Sequence, residues 1–511
     1  MSRLFIGIDS GTQSTKAVLV DGESGEILAR RSAAYGLIET DVPGSKEQNP
    51  ADWVSALNTT LEQVIEAAGA RRRAIAGIGI SGQQHGFVPL DAKGRVIRPA
   101  KLWCDTSTSA QCQTLTSRLG GLDRTIELLG NPILPGYTAS KILWLKELEP
   151  ENFAKLSTVL LPHDYLVYML TGNLVMEWGD ASGTALMDVR TRTWCREAVA
   201  AIDAALAPKL PPLAYSTRPA GVVLRDLAAR LGLSTDVVVT GSGDNMMGAV
   251  GTGNVREGLV TASFGTSGTI YACAEQPAID PRREIATFCD ATGRWLLLAC
   301  TMNVTGATEM VRNLFGWTHD QLADAAAVVP PGSDGLLLLP FFEGERTPNV
   351  PDGTGVWIGV RDKTFDAPHM ARAAMEGVTL GLNYGLNRLR ELKLTPTEIR
   401  LTGGGAHSAV WRQIAADIFN CPVVCLSQDE GAAFGAALHA MWVWSHERDQ
   451  PLPIDRLTER FVTTDESTRA VPNAATRRVY REAQVLFDTA AYDLGPAFSH
   501  HRRTIAPSTQ G

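Results

Sequence analysis

Two stretches of this chain repeat one alternation of apolar and polar positions. The apolar run Leu4–Asp9 gives way to Ser10-Gly-Thr-Gln-Ser-Thr15, and a second apolar run follows from Lys16 to Asp21. Later, Val260-Thr-Ala-Ser-Phe leads through Gly265-Thr-Ser-Gly-Thr269 into Ile270-Tyr-Ala-Cys273. Each copy predicts a strand, a tight turn and a second strand. A turn of this composition bares backbone N–H groups and hydroxyls in one small concavity, which suits a phosphate. One copy in each half implies two related lobes closing on one polyphosphate.

The same reading places further elements. Ile27–Ala33 continues the first hairpin, with Asp21-Gly22 and Ser24-Gly25 at the turn. Trp53, Leu57, Leu61, Val64 and Ile65 recur at helical spacing over 50–69. Strands are expected at Ile75–Ser81, Asp236–Thr240, Leu336–Phe342 and 422–426, and helices at 305–315, from His369 to about Leu392, at 410–420 and at 431–444. From Ser182 to Asp236 the pattern is helix and loop. Strand–loop–helix alternation in both halves gives an α/β fold. The glycines at 248, 251, 253 and 258 mark the boundary between a lobe over 1–252 and one over 253–495. A polar tail, 496–511, is expected to be disordered.

Composition narrows the class. A chain of 511 residues exceeds a single core, so two domains are expected. Hydrophobic residues at 44% and charged residues at 20% suit a water-soluble enzyme. The net charge of −8 disfavours nucleic acid or an anionic membrane as partner. The first strand begins at once, without a signal-peptide pattern, and Leu336–Phe342 is too short to span a bilayer. The eight cysteines are scattered, without zinc-site spacing, and read as reduced structural residues. A cytoplasmic protein is the expectation.

Two nucleotide signatures drop out. There is no Gly-x4-Gly-Lys-Ser/Thr run. Gly77-Ile-Gly79-Ile-Ser-Gly82 matches G-x-G-x-x-G, but its glycines lie within a strand and no helix opens after them. Five segments carry chemistry instead. Asp9 enters the first phosphate loop. It reads either as a turn-capping acid or, because a carboxylate beside phosphates needs a cation between, as a Mg²⁺-linked group; the duplicated loop favours the second. Asp244, in Gly241-Ser-Gly-Asp-Asn-Met-Met-Gly248, reads as a helix N-cap or as a base taking a proton from a sugar hydroxyl. Gln83, Gln84 and His85, framed by Gly82 and Gly86, offer neutral hydrogen bonds suited to a polyol, and Trp103 with Asp105 forms a second polar cluster. Thr402-Gly-Gly-Gly405-Ala-His-Ser408 allows a flat group such as adenine to lie on backbone.

These residues together resemble the FGGY carbohydrate kinases, of the superfamily that includes actin, hexokinase and the heat-shock chaperone ATPases. The likeness runs from about Leu4 to about Ser445. Two long signatures carry it: Gly136-Tyr-Thr138-Ala-Ser-Lys141-Ile-Leu-Trp144-Leu-Lys-Glu147, and Gly355-Val-Trp357-Ile-Gly359-Val360 followed by His369-Met-Ala-Arg-Ala373-Ala-Met-Glu376. The resemblance implies two ribonuclease-H-like lobes with the active site in the cleft between them. It implies Asp244 as general base, Gln84, His85 and Asn245 as pentulose contacts with Trp103 and Asp105 beside them, and Asp9 as the Mg²⁺-associated acid. ATP would lie on Gly11, Thr12 and Gln13, on Gly265 and Thr266, and on Gly404, Gly405 and Ser408. Ser81–Gly86, Leu102–Thr108, Leu161–Tyr165, Gly179–Thr184, Gly243–Gly248 and Phe342–Thr347 are most similar to the branch that phosphorylates D-xylulose on O5. Two departures bear on the sugar: Gln84 stands where many relatives have Met, and Cys104-Asp105-Thr106-Ser107 where they have Asn-Asp-x-Arg. Another ketose or polyol is therefore the alternative acceptor. A catalytically silent sugar or ATP sensor is disfavoured by the presence of both Asp9 and Asp244. Apolar surface on the C-terminal helices could support a homodimer.

Overall fold

The computed structural model describes residues 2–428, 430–448 and 451–505. The first apolar alternation becomes the antiparallel strands Leu4–Ser10, Ser14–Asp21 and Ile27–Ala34. Ile75–Gly82 and Val238–Gly243 add to Leu4–Ser10 in parallel, and Gly221–Val222 closes the far edge of this six-stranded sheet. The helix Pro50–Ala68 buries the five apolar residues whose spacing predicts it, so its stripe faces the sheet as an amphipathic helix must.

The second alternation builds a sheet on the same plan. Leu259–Phe264, Gly268–Ala274 and Trp295–Thr301 run antiparallel, with Ala286–Cys289 at the edge. Glu398–Thr402 and Val423–Leu426 add in parallel on the other side of Leu259–Phe264. Thr464–Ala470 completes seven strands. Both lobes thus have three meandering strands followed by parallel ones, as the duplicated loop implies.

The Ala-rich helix Gly431–His446 lies late in the chain but packs on the first sheet and on the helix Asp244–Gly251. Buried almost all round, it lacks a polar face. Its backbone comes so close that a Cβ on Gly79 would stand 1.9 Å from the Ala436 carbonyl oxygen, and one on Gly7 1.8 Å from that of Ala433. The glycine inside the false dinucleotide motif is thus a helix–sheet contact. The elements between 100 and 235 reach the second lobe. Asn131 Nδ2 donates to Thr287 O at 2.7 Å, its Oδ1 accepts from Thr287 N at 2.9 Å, and Arg192 sits between the rings of Trp178 and Trp295.

The C-terminus differs from expectation. Gly495–Thr504 is a helix, anchored by buried Phe498 edge-on to Phe341; one apolar residue in a polar run suffices to dock it. Residues 506–511 lie outside the described residues. Among the described residues no helix is long and apolar enough to cross a membrane, and no disulfide joins the cysteines.

Candidate active site

The strands Leu4–Ser10, Ile75–Gly82 and Val238–Gly243 end side by side. Asp9 pairs in register with Ser81, and Ser81 with Ser242. Everything that follows these ends therefore emerges at one edge: the first phosphate loop, the Gln83–His85 loop and Asp244. The second sheet does the same, with Ser263 beside Thr402. The glycine loop of 403–405 thereby meets the second phosphate loop.

Two cavities open there. The larger, about 1030 Å³, is bordered by Gln84, His85, Trp103, Tyr137, Asp244 and Asn245, and by Arg346. The smaller, about 400 Å³, is bordered by Gly404, His407, Gln428 and Gly431. Asp244, Asn245 and Thr269 border both.

Asp244 opens the helix Asp244–Gly251, and its Oδ1 accepts from Asn245 N at 2.7 Å and from Asn245 Nδ2 at 2.9 Å. Asn245 Nδ2 also donates to Gln84 Oε1 at 2.6 Å. Burial, then the like charges of Asp9 and Asp180, push the Asp244 carboxyl up to about 7. Asp9 accepts from Ser81 Oγ at 2.8 Å. Burial holds it above the usual carboxylate range, against the Ser81 bond and the charge of Lys16, whose ammonium stands 3.7 Å from Glu430. Asp9 and Asp244 are thus two mutually repelling carboxylates at the ends of the two strands that flank Ile75–Gly82. Such a pair fits a divalent cation with hard oxygen ligands. Among the described residues no group of three His, Cys, Asp or Glu is set for a metal, and Mg²⁺ bound through one or two carboxylates and substrate phosphates does not need such a cage.

The first loop is tight: Gly11 N donates to Ser14 O, Tyr35 Oη to Gly11 O at 2.7 Å and Gln48 Nε2 to Thr12 O at 2.6 Å. Trp103 Nε1 donates to Thr12 Oγ1 at 3.1 Å, which joins the larger cavity's wall to the phosphate loop. Gln13 is exposed at the turn. In the second loop the carbonyls of Gly265 and Thr266 accept from Thr305 N and Val304 N, so the loop rests on the start of the helix Thr305–Leu314.

Three expected contacts are spent elsewhere. Asp105 is fully buried. Its Oδ2 accepts from Lys46 N and Lys101 Nζ, and its Oδ1 from Ser107 N and Oγ; it borders neither cavity. Gly405 is buried, and a Cβ there would stand 2.9 Å from the Trp411 ring and 3.0 Å from Phe264 Cβ. Ser408 caps the helix Ala409–Phe419 by accepting from Trp411 N. Gly404 alone of that trio borders a cavity.

Several site residues escaped the motif reading. Gln428 sits in the smaller cavity's wall with a buried Oε1 that has no hydrogen-bond partner among the described residues. Arg346 reaches the larger cavity from the second lobe; it belongs to the Phe342–Thr347 segment, where its side chain could have been flagged. Behind Gln84 and His85 lies a buried cluster of His163, Asp164, Glu177 and Asp180.

Comparison with known proteins gives the kinship. The sequence model described as the N-terminal domain of the FGGY family of carbohydrate kinases matches residues 4–251, and that of its C-terminal domain matches 260–444. A xylulose kinase of Haemophilus influenzae is 40% identical over 94% of this chain and 98% of its own length. One of Bacillus subtilis is 34% identical over 98% of this chain and its full length. The ligand-bound crystal structure of xylulose kinase from Lactobacillus acidophilus superimposes with a TM-score of 0.90 at 25% identity, covering 97% of this chain and 99% of that one.

Proposed function

Because this chain belongs to the FGGY family of carbohydrate kinases, its chemistry is phosphoryl transfer to a sugar hydroxyl, and we propose that the donor is ATP and the acceptor O5 of D-xylulose. One observation carries the reading: Asp244 and Asn245 border both cavities. A sugar in the larger cavity and a nucleotide in the smaller one would meet at the carboxylate. Asp244 takes the O5 proton as the phosphoryl group arrives, and a carboxyl tuned to about 7 is matched to that task near neutral pH. Gln84, His85 and Asn245 hold the sugar hydroxyls, and Trp103 sits over Thr12 of the first loop. The Gly11–Thr12 and Gly265–Thr266 loops receive the phosphates, and Gly404 and Gln428 the nucleoside end. Mg²⁺, held through Asp9 and the phosphates, supplies charge neutralisation on the polyphosphate when bound. The xylulose kinases among the relatives support D-xylulose as acceptor.

The departures at Gln84 and Ser107 favour testing a second reading, in which another ketose or a polyol is the better acceptor. ADP release with Mg²⁺-ATP across pentuloses, tetruloses, pentitols and glycerol decides between them. D-xylulose should give the highest kcat/KM, and a higher value for any other acceptor overturns the assignment while keeping the kinase.

We place the enzyme in the cytoplasm, as a homodimer joined through the helix Arg477–Asp493, which leaves Val485, Leu486 and Tyr492 exposed. Sedimentation of the wild type should give twice the chain mass, and of Leu486→Asp the single mass; a monomeric wild type ends the idea.

A further inference from the structure

Asp180 bears on the sugar site without bordering the cavity. It is fully buried on the short helix Trp178–Ala181, yet its carboxylate gathers the residues that face the sugar. His85 N donates to Oδ1 at 3.2 Å and to Oδ2 at 3.1 Å, and Gln84 Nε2 donates to Oδ1 at 3.4 Å. His85 Nδ1 stands 2.6 Å from Oδ1, a short contact that is not aligned as a hydrogen bond.

His85 needs such a hold. Its φ of +59° is left-handed, a strained region that a non-glycine residue keeps only where its surroundings fix it. Both of its backbone groups are held. The N–H goes to Asp180, and the carbonyl accepts from Lys141 Nζ at 2.7 Å and from Thr138 Oγ1 at 3.1 Å. Lys141 also donates to Gly136 O at 2.6 Å, which explains the buried lysine of the first signature. The imidazole lies over Gly183, where a Cβ would stand 1.9 Å from its Cε1, and edge-on to Tyr137.

The charge of Asp180 is kept by the cluster behind it. Burial would raise its carboxyl, but His85 and His163 outweigh burial and hold it below the usual range. His163 is buried too. The carboxylates of Asp164, Glu177 and Asp180 hold it well above its ordinary value against that burial, and its Nδ1 stands 3.5 Å from Asp180 Oδ2. Glu177 in turn accepts the backbone N–H groups of Gly179 and Asp180.

We propose that Asp180 is the positioning residue of the sugar site: one buried carboxylate that fixes the left-handed backbone of His85 and the amide of Gln84, so that the sugar meets a preformed set of hydrogen bonds. The inference rests on the sugar-kinase reading above and names what selects the acceptor within it.

The test is a double-mutant cycle with Asp180→Asn and His85→Gln, measured on whichever acceptor of the panel the wild type turns over best. Asn keeps the shape of Asp180 and removes its charge. Asp180→Asn should raise the sugar KM about 30-fold, as expected for loss of a buried charged hydrogen-bond partner, while the ATP KM stays within twofold. In the His85→Gln background the same change should cost less than fivefold. Gly183→Ala gives an independent arm if Asp180→Asn folds poorly: its Cβ displaces the His85 ring, leaves the carboxylate in place, and should raise the sugar KM with the same indifference to ATP. Effects that simply multiply in the cycle, or KM values for sugar and ATP that rise together, overturn the positioning role. A wild type that prefers another acceptor overturns only the D-xylulose assignment, since the cycle then runs on that acceptor.

Discussion

Asp244→Asn will lower kcat by about 10²–10⁴-fold and leave sugar affinity within a few-fold of the wild type. Asn keeps the bond geometry toward Asn245 and cannot accept the O5 proton. Isothermal titration with the sugar, beside single-turnover rates with Mg²⁺-ATP, separates the two. A variant within tenfold of wild-type turnover removes Asp244 from the role of base. The wild type should show the same group in its pH profile. With the carboxyl near 7, kcat/KM for the sugar should fall with unit slope below about pH 7 and level off above it. Stability moves the opposite way. The folded-state value lies above the unfolded 3.8, so the site is most favourable below about pH 4 and loses stability as pH rises toward 7. The penalty is then complete at pH 8, where Asn, which carries no charge, avoids it. Even 1 kcal/mol of relief lifts Tm by about 2–4 °C in a domain of this size. Asp244→Asn should therefore melt higher than the wild type at pH 8, with the gap closing at pH 4. A dead and more stable variant is the signature of a carboxylate held in place for chemistry.

That Asp244 and Asp9 stand out in the sequence, while Asp180 could not be assigned a role from it, has a physical reason. Asp9, Gln84, His85 and Asp244 each follow a run of apolar residues that ends in a glycine turn. In open α/β sheets ligands bind beyond strand ends, so their position along the chain already places them. Asp180 sits within a four-residue helix in the stretch between 100 and 235, where the strands are two or three residues long and periodicity is weak. Its meeting with His85 is made by tertiary packing alone. Asp105 shows the converse failure. An acid two residues from Trp103 reads as a polar cluster facing a ligand, but a sequence does not say which way a turn faces. Here the charge turns inward to Lys101 and to the Lys46 amide. Gly405 and Ser408 show a related ambiguity. A glycine can serve a ligand or a close-packed indole, and a serine before a helix can bind a phosphate or cap that helix; only the packing of Trp411 decides. The lobes themselves were legible because the fold uses one strand–turn–strand alternation twice. The return of Gly431–His446 to the first sheet was not, since a uniformly apolar helix points to burial without saying where.

Gly435→Val should lower kcat about 10²-fold even at temperatures where the variant is fully folded. Gly435 lies where the helix Gly431–His446 crosses the helix that opens on Asp244. A Cβ there would stand 1.8 Å from the Met247 carbonyl oxygen, and one on Gly251 1.7 Å from that of Gly431. The two helices touch backbone to backbone, and no rotamer change relieves a clash with a carbonyl. Any side chain at 435 forces the helices apart by roughly 1 Å, at about 1–3 kcal/mol for overpacking. Met247 is on the same helical turn as Asp244, so Asp244 moves with it. A displacement of roughly 1 Å at a reacting group costs on the order of 10²-fold. The loss should therefore appear in kcat at 25 °C and, as a separate quantity, in a lower Tm. Leu438→Met changes side-chain shape deeper in the same helix while leaving both glycines of that crossing in place, and should lower Tm slightly with kcat preserved. Were Gly435→Val to lose stability with kcat intact, the helix pair would hold the lobe together without setting the position of Asp244. A joint loss ties the geometry of the base to a glycine contact far along the chain from it, which is why the Ala- and Gly-rich run from Gly431 to Ala437 counts among the residues on which catalysis depends.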